Sequence, residues 1–67
     1  MKELEMTEQT AIERAYAAAV ESLCKAFYGD FTAANGSPNA ESGAKERFRN
    51  GIVHARQAHK IALELLP

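Results

Sequence analysis

One cysteine and two histidines are the residues of this 67-residue chain whose types most readily support catalysis or metal binding. A covalent catalytic centre needs a nucleophile, a base and an orienting group within reach of one another. Cys24 falls at the edge of an apolar helical stripe, where a cysteine behaves as a small hydrophobe. It has no second cysteine for a disulfide, and no paired histidines complete a zinc set. His54 and His59 are five positions apart, about 140° around a helix, so they cannot share a metal as an i,i+4 pair would. His59 lies amid Phe48, Ala55 and Ala62, which predicts a hydrogen-bonded core or interface histidine; at an interface it would make assembly sensitive to pH. The pattern therefore predicts a non-enzymatic protein with no metal ligands and no cofactor.

The stronger candidate for function is a ridge of cations. Lys45, Arg49, Arg56 and Lys60 fall within a narrow band of one helix, and Val53 occupies the missing step between the two arginines. Such side chains often lay their stems along apolar surface with their heads in water. Alternatively, they grip a carboxylate or phosphate through charge-assisted hydrogen bonds. Two further residues join the candidate ligand- or partner-binding set. His54 flanks the same helix, and Tyr28 falls on the far side of the preceding helix near its end, where an exposed aromatic can anchor a partner. Phe31 beside it reads equally well as a hydrophobic plug. Asn35, Gly36 and Ser37 are turn chemistry and do not form a phosphate-binding loop.

These residues must be positioned by helices. From Ala44 to Leu66, Phe48, Ile52, Ala55, His59, Ala62 and Leu66 recur at helical spacing. A second line, Arg47, Gly51, His54, Ala58, Ile61 and Leu65, runs beside it, so the non-polar surface is wider than a simple amphipathic stripe. Upstream, Ile12, Ala15, Tyr16, Ala19, Leu23, Ala26 and Phe27 make the matching stripe of a first helix. Thr7, or Thr10 with Glu13, caps its start, and Glu21 with Lys25 forms an i,i+4 pair. Gly29 is the expected stop. Asp30 then caps one short turn, Asn35 and Gly36 supply residues that tolerate positive φ, and Ser37 with Pro38 restarts the chain as a helix. Asn50 and Gly51 could break the second helix; the apolar line crosses them in register, which predicts a continuous helix and a close approach at Gly51.

The expectation is an all-α fold, a single small helical domain over residues 1–67. It is an antiparallel hairpin with helix 1 at about residues 8–28, a short turn at about 30–35 and helix 2 at about 38–66. At 1.5 Å per residue the helices span about 31 and 43 Å, so helix 2 should overhang. Phe48, Ile52, Leu23 and Tyr16 are the expected core. A chain this short buries too little surface for ample stability. With neither disulfide nor metal as a staple, homo-oligomerisation is the expected remedy.

Charge narrows the partners. The net charge of −1 divides unevenly: residues 1–40 carry three basic against six acidic residues, and residues 41–67 carry five against three. Complementary halves suit docking within or between chains and count against nucleic-acid binding, which leans on positive charge. No apolar run of membrane-spanning length occurs, and Lys2 among Glu3, Glu5 and Glu8 has the wrong sign for an export leader, so no membrane partner and a cytoplasmic location are expected. The leading functional expectation is a self-associating helical module acting by occupancy on a protein partner or small anionic ligand. The alternative is a phage or mobile-element type inhibitor that blocks a host factor or sequesters a nucleotide signal. Nucleic-acid binding through helix 2 ranks below both.

Overall fold

The computed structural model describes residues 7–67. Residues 1–6, which the sequence suggests as a lead-in to the first helix, lie outside them. The chain folds as two antiparallel helices, α1 (Glu8–Ala34) and α2 (Pro38–Glu64), packed along their lengths, with no strand among the described residues. Thr7 begins α1: its hydroxyl accepts from the Thr10 backbone N–H at 3.0 Å, and the Thr10 hydroxyl lies 2.9 Å from it. An otherwise unpaired first-turn donor is thereby satisfied. Ser37 does the same for α2, accepting from Ala40 N–H at 3.4 Å ahead of Pro38, whose missing N–H removes no helical bond.

Two boundaries differ from the sequence expectation. Helix 1 does not stop at Gly29, and the separate turn at 30–35 is absorbed into it. Glycine in a helix costs only about 1 kcal/mol, and the residues beyond it are held by contacts. Phe31 stacks on Phe27 with ring centroids 5.5 Å apart, Asp30 pairs with Arg47 of α2, and Ala34 is buried. Both helices therefore have 27 residues, and the expected overhang of α2 is absent. The connection shrinks to Asn35, Gly36 and Ser37. Asn35 adopts φ 49°, its N–H bonding the Thr32 carbonyl, and Gly36 follows at φ 84°. Two successive left-handed residues reverse the chain, and glycine alone takes this conformation without strain. Gly36→Ala should therefore destabilise by about 1 to 2 kcal/mol. Chemical denaturation followed by circular dichroism measures it, and an unchanged midpoint would remove the turn from the account.

The seam is narrow. Among the described residues only Ala34 and Ala44 are buried, Ala44 to 1% exposure; Tyr16, Leu23, Phe27, Phe48 and Ile52 are half-buried. The four residues expected as core thus line the seam without being enclosed by the single hairpin: one layer of two helices can bury only what lies directly between them. At its centre α2 runs unbroken through Asn50 and Gly51. A Cβ on Gly51 would overlap the Leu23 side chain, whose Cγ would stand only 3.3 Å away. Toward the turn Phe27 meets Phe48 at 5.1 Å, and toward the open end Tyr16 meets the His59 ring at 4.6 Å.

Candidate functional site

The antiparallel arrangement sorts the remaining side chains onto two faces. On one, α2 turns Lys45, Arg49, Ile52, Val53 and Arg56 outward beside Phe27 of α1. Together with Phe48 these residues line an open groove of about 390 Å³. Its size lies within the range of small-ligand sites. The floor is apolar and aromatic: Phe27, Phe48, Ile52 and Val53, the last 51% exposed. Lys45, Arg49 and Arg56 stand around it on exposed positions, and none has a carboxylate partner among the described residues. From Lys45 to Arg56 the groove follows about 16 Å of helix, three turns.

The six sequence candidates divide. Lys45, Arg49 and Arg56 come together at the groove. Lys60 lies one turn beyond it and is not part of its wall. His54 faces away from it, and its Nδ1–H donates back to the Asn50 carbonyl at 2.9 Å, a local helical bond. Tyr28 is 73% exposed as expected, yet it contacts the Phe27 ring edge-on at 6.4 Å and is not part of the groove lining. Sequence reasoning missed the floor, because Phe48 and Ile52 were expected as core alone. Val53, set between two arginines on the same stripe, was the available signal.

The other charged contacts are structural. Arg47 belongs to the line read as apolar, and its Nε–H donates to Asp30 Oδ2 at 3.3 Å, joining the helices near the turn. Lys25 and Glu21 form the expected exposed pair at 3.9 Å, of the kind worth no more than about 1 kcal/mol. His59 Nε2 lies 3.1 Å from both Glu13 carboxylate oxygens and donates to them, closing the hairpin at its open end. Cys24 is half-buried and free. Among the described residues no three His, Cys, Asp or Glu side chains converge as metal ligands would.

No family model matches the chain, and it matches no curated protein and no solved structure. The groove therefore has to be interpreted from its own chemistry. Among the described residues no helix is long and apolar enough to cross a membrane.

Proposed function

We propose that this protein is a small self-associating binding module that acts by occupancy, its groove receiving an anionic partner with an apolar body. The observation that carries the reading is the juxtaposition of an aromatic and aliphatic floor with three cations that lack carboxylate partners among the described residues. Apolar contact supplies affinity, and the cations select against neutral and basic partners. An acidic amphipathic helix fits such a groove through apolar anchors at i, i+3, i+4 and i+7, with carboxylates meeting the arginines. A nucleoside phosphate would use the same cations and stack its base on Phe27 or Phe48. No chemical step belongs to this reading; partner loss or sequestration is its output.

The test is a fluorescence-polarisation titration with two labelled probes, an acidic leucine-rich amphipathic peptide and a nucleoside triphosphate. Either probe should bind with an affinity that falls as salt rises. Charge-assisted hydrogen bonds contribute about 1.5 to 3 kcal/mol each, so Arg49→Ala with Arg56→Ala should weaken binding by tenfold or more. Because both arginines are exposed and lack ion pairs within the described chain, the melting temperature should hardly move. Binding that survives the double substitution would show the ridge to be merely solvated. Joint loss of binding and stability would make the arginines structural.

A further inference from the structure

The self-association in that reading can be assigned to a surface. We infer that a second copy of this chain packs on the face opposite the cationic groove, forming a two-fold four-helix bundle. The inference is independent of what the groove binds.

Four observations select this face. First, a single layer of two helices encloses no side chain larger than alanine among the described residues, so the hairpin lacks the second layer from which domains are built. Second, two helices about 40 Å long and each about 10 Å across present a face of about 800 Å². That is the share each partner contributes to a standard stable interface. Third, this face holds both a recess and side chains to fill one. A hollow of about 210 Å³ lies over the seam, with Ile12, Tyr16, Ala19 and Ala58 among its walls. Helical spacing puts Ile61, 51% exposed, and Leu65, 77% exposed, on the same side as Ala58. A two-fold interface requires such self-complementarity, since each patch meets its own copy.

Charge supplies the fourth observation and excludes the alternative face. Between Ala11 and Ala26 of α1, and from Ala58 of α2 to its cap Leu65, helical spacing places no Asp, Glu, Lys or Arg on this side; Glu8, one turn before Ile12, is the one carboxylate at its open end. Nearer the turn its charged residues, Arg47 and Asp30, neutralise each other. Two-fold docking through the groove would instead bring Lys45, Arg49 and Arg56 against a second set of the same three cations in an apolar setting, where like charges repel strongly. The second copy therefore takes the face without a cluster of like charges, and the groove stays open on both outer surfaces of the bundle.

Sedimentation equilibrium of the full chain over a concentration series tests this. The expected mass is twice 7.3 kDa, with a melting temperature that rises with protein concentration, as it must when folding and association are linked. Ile61→Glu and Leu65→Glu alter exposed positions and enter the dimer twice. Each should weaken association by about a hundredfold or more, the scale on which an unpaired buried charge acts. Arg49→Glu should leave the dimer intact. A monomeric mass with concentration-independent melting overturns the proposal, whatever the variants do. A dimer lost in Arg49→Glu but kept in Ile61→Glu and Leu65→Glu also overturns it, by placing the interface on the groove. Probe binding is scored separately: a dimer that binds neither probe leaves this interface standing and removes the groove reading, and a monomer that binds does the reverse.

Discussion

Gly51→Leu is expected to lower the stability of the hairpin by about 2 to 3 kcal/mol, in the range that overpacking a close helix contact produces. Two effects oppose each other at this position. Removing glycine from a helix interior gains about 1 kcal/mol. Against that, even a Cβ would overlap the Leu23 side chain, with Cδ1 and Cγ both at 3.3 Å. The end of a leucine is flexible and can yield to a single methyl, so Gly51→Ala should come out near neutral. The longer leucine cannot be absorbed without separating the helices at mid-length. At about 0.05 to 0.15 kcal/mol per residue, a chain of this size has total stability of only about 3 to 10 kcal/mol, so a large share would be lost. Urea titration read by far-ultraviolet circular dichroism decides it. A Gly51→Leu variant as stable as the parent would mean that the helices do not approach closely there.

The second large effect belongs to Phe48. Its ring meets Phe27 at 5.1 Å, and Phe27 in turn meets Phe31 at 5.5 Å. Phe→Ala in an enclosed core costs about 3 to 5 kcal/mol. Phe48 is half-buried, so about 2 kcal/mol is expected, from lost apolar area and the lost ring pair. The same substitution should remove the groove floor, so probe binding should fall even where the protein is still fully folded. Denaturant melts and polarisation titrations on the same sample separate the two. Loss of stability with binding untouched would place the partner elsewhere, first around the exposed Tyr28.

The hairpin was legible in the sequence because its signals agree across levels. Helical spacing of apolar residues, Ser37 before Pro38, and Asn35 with Gly36 all point to the same reversal. The continuity of α2 through Gly51 was legible for the same reason, since a real break would have thrown the apolar line out of register. The end of α1 was not. Gly29 is a local stop signal, and what overrides it is non-local: the pairing of Asp30 with Arg47, seventeen residues apart, and the cover over Ala34. The cationic stripe could be drawn from spacing on one helix, but the groove needs the inter-helix register, which alone brings Phe27 beside Arg49 and Val53. Likewise Glu13 could not be matched to His59 from spacing along one helix, because the two lie 46 positions apart on either side of the turn.

That ladder of cross-links gives the molecule a direction in time. The Arg47 and Asp30 contact closes a short loop beside a pre-set reversal, whereas His59 and Glu13 close the longest, and loop-closure entropy grows with the span. Assembly should begin at Asn35 and Gly36 and zip toward the open end, with contacts near the turn formed early and the histidine clasp last. Opening should run the other way. In hydrogen exchange on the dissociated hairpin, before a second copy covers the open end, the amides around Tyr16 and Ala62 should trade first and those around Ala34 and Ala44 last, so that the single chain wears from one end like a clasp knife, with its hinge as the longest-lived part.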